Sequence, residues 1–408
     1  MKSMALVKSR SRLWILALLF LLSACGESTD PLASSIEARL VQPLPLGSQA
    51  DQTTSPITPA SKPAAAQAQT QQVKRITADN QLIRYTGRID SSDPSRPAFD
   101  WPGITIEAAF EGTSLSVLLA DGQNLYNVYV DDQPSLLITR PGQERYVVAE
   151  GLADTQHSFR LTKRTETFYG TPQFLGFELD AGRDLLSLPP TNDRRIEFIG
   201  DSITAGYGSE GNSPTCVFSP ATENVELTYA AQTAAEFGAQ YTIIAVSGVG
   251  IVRNYNADSK MSAGTMLTYY EGTTTDTDTQ NWDFTRWVPD AVVVNLGTND
   301  FSTAPHPAGE VFLQGYTELI VKVRNRYPQA HIFAIAGPIM VDPAEATIRS
   351  VVTQMREVLQ DDRVHFVKID NNLELSAVDY GCDWHPNAAG HRKIANQLIP
   401  VIASTMGW

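Results

Sequence analysis

Arg195-Ile196-Glu197-Phe198-Ile199-Gly200-Asp201-Ser202-Ile203-Thr204-Ala205-Gly206 reads as an apolar strand that stops at a glycine and turns at once into a helix start carrying a hydroxyl. Apolar runs of the same kind recur downstream at Ile243–Val246, Ala291–Leu296, Ile332–Ala336 and Val364–Ile369. Amphipathic stretches at Thr228–Phe237, Val311–Val323, Ala344–Leu359 and Ala388–Ile402 alternate with them. Near-continuous apolar strands separated by helices predict a parallel sheet covered on both faces. Residues 191–408 are therefore expected to form a doubly wound α/β domain. Such sheets bind ligands outside the carboxyl ends of their strands, so the residues just after each strand are the ones to inspect.

Upstream of Pro189-Pro190 the period changes to two. Ile104, Ile106, Ala108 and Phe110 alternate with mostly polar residues, as do Leu115, Val117 and Leu119, then Tyr126, Val128 and Val130. Turn signals at Glu111-Gly112-Thr113, Asp121-Gly122, Asp131-Asp132 and Pro141-Gly142 separate these runs. Short alternating strands at such spacing predict an antiparallel β-sandwich over residues 76–190, with no helix of useful length.

The chain opens differently again. Lys2, Lys8, Arg10 and Arg12 precede the apolar run Leu13–Leu22, which ends in Ser23-Ala24-Cys25-Gly26. The run is short for a bilayer span and ends in small residues, so 1–24 reads as an export signal. Cleavage before a cysteine resembles the bacterial lipoprotein pattern, which implies lipidation at Cys25, and Gly26 rather than Asp after that cysteine favours transport to the outer membrane, on its periplasmic or cell-surface face. Residues 25–75 are rich in Pro, Ser, Thr, Gln and Ala without hydrophobic periodicity, and are expected to be a disordered tether. An exported chain meets an oxidising compartment, where the two remaining cysteines, Cys216 and Cys382, either pair or stay as buried thiols.

Of the 408 residues, 31 are Lys or Arg and 45 are Asp or Glu, a net charge of −14. A chain this acidic repels phosphate backbones, which argues against a nucleic-acid partner. Neither His-Glu-x-x-His nor a clustered Cys/His set is present, so neither a metal nor a cofactor is expected.

Four places carry chemistry: Gly200-Asp201-Ser202 after the first α/β strand, Ser247-Gly248-Val249-Gly250 after the second, Gly297-Thr298-Asn299-Asp300 after the third, and Cys382-Asp383-Trp384-His385-Pro386-Asn387 before the last helix. Singly, each has a plain structural reading as a helix cap, packing glycines, a turn or a structural pair. Together they set a hydroxyl, a glycine loop, an amide and an imidazole at the ends of successive elements, where this architecture converges them. The order Gly-Asp-Ser, Gly, Gly-x-Asn-Asp and Asp…His resembles the SGNH (GDSL-type) hydrolase superfamily. Arg84-Tyr85-Thr86-Gly87-Arg88, Phe99-Asp100-Trp101-Pro102-Gly103, Thr222-Glu223-Asn224 and Asp383-Trp384-His385-Pro386-Asn387 resemble carbohydrate esterase family 2 more narrowly. The resemblance implies a flavodoxin-like three-layer α/β/α hydrolase domain behind a jelly-roll-like sandwich. It also implies removal of acetyl groups from sugars or polysaccharides such as xylan and glucomannan, often at O-6.

Ester cleavage needs a nucleophile, a base and oxyanion donors. Ser202 is the expected nucleophile and His385 its general base and acid. The N–H groups of Ser202 and Gly248 and the amide of Asn299 form the expected oxyanion hole. The superfamily's acidic residue stands three positions before the histidine, but that position is Cys382; Asp383 is the expected third member instead, with a backbone carbonyl and a Ser–His dyad as the alternative. Asp201 and Asp300 are read as loop braces and His391 as structural. Trp384, Tyr207 and Trp282 are the candidate sugar-stacking rings. Rival readings are a carbohydrate O-acetyltransferase, an esterase of cell-envelope glycans or lipids, and an inert glycan-binding surface lipoprotein.

Overall fold

In the computed structural model, residues 73–277, 280–340, 342–370 and 377–408 are described. The expected signal (1–24), Cys25 and nearly all of the tether lie outside the described residues. The sandwich contains β1 (Val73–Ile76), β2 (Arg84–Thr86), β3 (Thr105–Gly112), β4 (Leu115–Ala120), β5 (Leu125–Val130), β6 (Gln133–Ile138), β7 (Arg145–Ala149), β8 (Thr155–Lys163), β9 (Gln173–Asp180) and β10 (Leu185–Leu186). One sheet runs β1-β9-β4-β7 and the other β10-β3-β8-β5-β6, with β2 beside β3. All pairings within them are antiparallel. The residues picked out by their alternation, from Ile104 to Val130, are all buried, because in a strand every second side chain faces the same way. The tether boundary needs correction. Val73–Arg75 already pair with β9, so the folded part starts inside the segment expected to be disordered.

The second domain contains β11 (Arg195–Gly200), α1 (Ser202–Ala205), α2 (Tyr229–Glu236), β12 (Gln240–Ala245), α3 (Met266–Tyr269), β13 (Ala291–Asn295), α4 (Thr298–Ser302), α5 (Gly309–Arg326), β14 (His331–Ala336), α6 (Ala344–Glu357), β15 (Val364–Lys368) and α7 (Ala388–Met406). Its five strands are parallel in the order β12-β11-β13-β14-β15. This is the flavodoxin-like order, whose switch point falls at the carboxyl end of β11 between β12 and β13. Alternate strand residues face opposite layers. Val292 and Val294 pack with Leu319, Ile320 and Val323 of α5 and Ile348 and Val351 of α6. Val293, Phe198 and Ile335 pack with Ala230 and Ala234 of α2 and Ile394 and Leu398 of α7.

The α5/α6 layer continues without a break into the sandwich core, joining Trp101, Phe99 and Ile106 to Tyr270, Trp282 and Phe284. Polar groups stitch the same boundary. The Trp101 indole N–H donates to Thr273 O at 2.9 Å, the Asp100 carboxylate accepts from the Thr275 N–H at 2.7 Å, and Arg88 pairs with Glu197 at 3.4 Å with both side chains buried. A buried pair is worth less than its distance suggests, because both charges are desolvated.

Candidate active site

Ser202 sits where β11 becomes α1. Gly200 lets the chain turn there, since a Cβ at that position would lie 2.0 Å from Thr204 Oγ1. Asp201 caps the short helix by accepting from the Ile203 N–H at 3.1 Å. Ser202 Oγ lies 2.8 Å from His385 Nε2, although 183 positions separate the two residues.

His385 follows a short turn, Cys382–Trp384, before α7. Its other ring nitrogen, Nδ1, is 3.0 Å from the main-chain oxygen of Asp383, so Nδ1 carries the proton and Nε2 is free to accept. The Asp383 carboxylate faces elsewhere and accepts from Tyr207 Oη at 3.0 Å and from the Phe218 N–H at 3.2 Å. The expected Asp383 carboxylate–imidazole pair is therefore corrected to a main-chain carbonyl–imidazole pair. The cause is local. Asp383 and Trp384 both adopt left-handed backbone angles (φ 50° and 60°), and the Cys216–Cys382 disulfide ties the turn to the loop after α1. Consecutive left-handed non-glycine residues persist only where surrounding contacts over-determine them.

Gly248, with φ 76°, and Asn299 border the same cleft. Asn299 donates from Nδ2 to Val249 O at 3.0 Å and to Asp201 Oδ2 at 3.3 Å, which holds its amide beside the nucleophile. Asp300 accepts from the N–H groups of Ile251, Val252 and Arg253 at 3.0, 2.8 and 3.0 Å and braces the glycine loop, as expected. Burial, reinforced by the charge of Asp300, pushes Asp201 up to about 7. Burial likewise lowers His385 from the usual imidazole range, which keeps it neutral and able to take a proton near pH 7.

The cleft encloses about 630 Å³. Trp384 is 60% exposed along it, and Tyr207 lines it with its ring stacked on Phe218 at 3.8 Å and tilted against His385 at 4.4 Å. Trp282 does not belong here. It is only 6% exposed and lies at the domain boundary with Arg286 over its ring at 4.9 Å, so it is a core residue rather than a sugar platform. His391 is buried beneath α2, where Nδ1 accepts the Tyr229 N–H at 3.2 Å. Tyr255, Ser302 and Ile339 also line the cleft and were not singled out from sequence. Ile339 was open to detection, because it follows β14 at a strand end like the others; Tyr255 and Ser302 follow the glycine and Asn-Asp loops.

A parallel α/β/α sheet with a serine, a histidine, a glycine loop and an asparagine at its switch point defines a GDSL-like hydrolase. Residues 198–393 match the family described as GDSL-like Lipase/Acylhydrolase, and residues 85–189 match Carbohydrate esterase 2 N-terminal. The chain is 33% identical over 329 residues to an acetylxylan esterase / glucomannan deacetylase of Cellvibrio japonicus, covering 78% of this chain and 88% of that protein. It is 38% identical over 335 residues to the cellulase/esterase CelE of Acetivibrio thermocellus, covering 81% of this chain but only 40% of CelE's length. A solved structure of a family two carbohydrate esterase from Clostridium thermocellum in complex with cellohexaose shares 37% identity at a TM-score of 0.74, covering 80% of this chain and 99% of that one. The chain belongs to carbohydrate esterase family 2.

Proposed function

We propose that this protein removes O-acetyl groups from a neutral polysaccharide of the xylan or glucomannan kind, with the primary O-6 position as the expected point of attack. The observation that carries the reading is the 2.8 Å contact between Ser202 Oγ and His385 Nε2 within an open cleft. Relatives named for acetylxylan and glucomannan support the substrate class.

His385 Nε2 takes the Ser202 proton as Oγ attacks the acetyl carbonyl. The oxyanion that forms is met by the N–H groups of Ser202 and Gly248, and by Asn299 Nδ2 as it exchanges its longer contact to Asp201 (3.3 Å) for the oxyanion. The imidazolium then protonates the departing sugar oxygen, and water repeats the sequence on the acetyl-enzyme. The Asp383 main-chain carbonyl orients the ring throughout, giving a dyad rather than a triad. Trp384 offers an exposed ring for a sugar face. Residues 1–26 support export, lipidation at Cys25 and attachment to the outer membrane; palmitate labelling that survives Cys25→Ser would contradict this.

The test is acetate release from acetylated xylan and glucomannan by the wild type and by Ser202→Ala. Release by the wild type alone is expected. Equal release by both, or none by the wild type from any acetylated glycan, contradicts the reading.

A further inference from the structure

The glycine loop is held at both ends by carboxylates, and only one of them comes from the hydrolase domain. Asp300 holds residues 251–253. The other end, Ser247, is held by Glu166, which belongs to the sandwich: it follows β8, just before a short turn at Thr167–Tyr169. Glu166 is fully buried. Its Oε2 accepts the Ser247 N–H at 2.7 Å and its Oε1 accepts the Ser247 hydroxyl at 2.5 Å.

With main-chain and side-chain donors of one residue on one carboxylate, the N–H direction and the side-chain rotamer of Ser247 are both fixed. The peptide that follows it carries the Gly248 N–H. We propose that Glu166 is a positioning residue that aims this oxyanion donor, so that the sandwich domain completes the active site; the inference rests on the Ser202 esterase reading above.

Burial raises Glu166 itself, but the two Ser247 donors and the Lys163 charge oppose that and favour its anion. The buried Lys163 ammonium donates to Thr165 O at 2.6 Å and Glu166 O at 3.0 Å, which ties the segment down and supplies a counter-charge. Glu223 Oε2 accepts the Glu166 N–H at 3.2 Å, and burial together with the charge of Glu166 raises Glu223 well above the carboxylate range. The proton of this carboxyl pair therefore sits on Glu223. Arg164 anchors the same strand end by donating to Glu223 O at 2.6 Å. Charge-assisted bonds of this kind are roughly twice as strong as neutral ones.

The experiment compares full-length Glu166→Ala with Glu226→Ala. Glu226 accepts from Asn127, Tyr129 and Arg160 across the same domain boundary but touches no part of the glycine loop in these contacts. Three quantities are read: kcat and KM for 4-nitrophenyl acetate, the inhibition constant of phenylboronic acid, which forms a tetrahedral adduct on a serine, and Tm. Glu166→Ala is expected to lower kcat about 10²-fold, as an ångström-scale misplacement of a catalytic group does, with KM changed less than about threefold. Boronate affinity should fall with kcat. Glu226→Ala should lower Tm while leaving kcat within about threefold.

A folded Glu166→Ala enzyme with wild-type kcat and boronate affinity overturns the proposal, as does an equal kcat loss in Glu226→Ala. If Glu166→Ala does not fold, Glu166→Gln, which replaces one acceptor by a donor, is measured in the same way; unchanged kcat there overturns it too. A wild type that neither hydrolyses the ester nor binds the boronate refutes the esterase reading itself, and the positioning role with it.

Discussion

Replacing Asp383 by asparagine distinguishes two ways of holding the catalytic imidazole. In a Ser–His–Asp triad the carboxylate grips Nδ1, and neutralising it costs about 10⁴-fold in kcat. Here Nδ1 meets the main-chain oxygen of Asp383, which the substitution leaves in place. Asparagine also tolerates the left-handed backbone at this position (φ 50°), so the turn keeps its shape. Tyr207 Oη and the Phe218 N–H both donate to the same oxygen, Oδ2, which the amide oxygen can replace; what is lost is the charge assistance on these two bonds, about 1 kcal/mol together, and an exposed negative charge worth about 1 kcal/mol or less. Together these set a ceiling near 2 kcal/mol, or about 30-fold in kcat/KM, at 1.36 kcal/mol per factor of ten. The Asp383 charge also favours the protonated ring, so the acid limb of the pH profile should move slightly downward in the variant. Acetate release measured across pH on folded Asp383→Asn is the assay. A loss beyond about 10³-fold would refute the carbonyl-held dyad and restore the carboxylate.

Four further outcomes follow from the same geometry. Asn299→Ala should lose about 10²–10³-fold in kcat while remaining folded, checked by steady-state kinetics and circular dichroism. Cys216→Ser, or reduction, should lower Tm and slow turnover, because the crosslink closes a 166-residue separation, worth up to about 5 kcal/mol of chain entropy, and abuts the His385 turn; an unchanged Tm with dithiothreitol would contradict this. Burial holds His391 down at about 3 against the usual 6.5, so between those values the unfolded chain binds the extra proton. Stability is then full above pH 6.5 and falls as pH drops towards 3, by about 2–3 kcal/mol at pH 4.5, and Tm against pH should be flatter in His391→Gln. Trp384→Ala should raise KM for acetylated oligosaccharides with little change in Tm, whereas Trp282→Ala should lower Tm; the reverse pattern would return Trp282 to the cleft.

The fold was legible because period-two and apolar-run patterns report directly which faces are buried, as Ile106 and Val293 show. Ser202, Gly248 and Asn299 were legible because a doubly wound sheet collects strand-end residues at its switch point, and His385, in the turn before α7, because of the Asp-Trp-His-Pro-Asn stretch around it. The role of Asp383 was not. A spacing of two along a loop says nothing about which of a residue's oxygens meets the ring, and that is decided by two left-handed residues and a disulfide to a distant loop. Trp282 misled for a related reason: an aromatic ring suits a sugar face and a domain core equally, and burial alone separates the two. Glu166 gave no signal, since it lies 81 positions from Ser247 in another domain. Of the stretches that carried the narrower family resemblance, three contain residues that join the domains, Arg88, Asp100-Trp101 and Glu223-Asn224, while the fourth is the catalytic turn around His385.

Ester cleavage at this site depends on an activated hydroxyl at residue 202. Intact-mass and peptide-mass analysis after treatment with a serine-directed fluorophosphonate at neutral pH measures it most directly. One adduct on the peptide containing Ser202 is predicted for the wild type, with labelling strongly slowed in His385→Ala and absent in Ser202→Ala. Labelling elsewhere, or at the same rate without the imidazole, would contradict it.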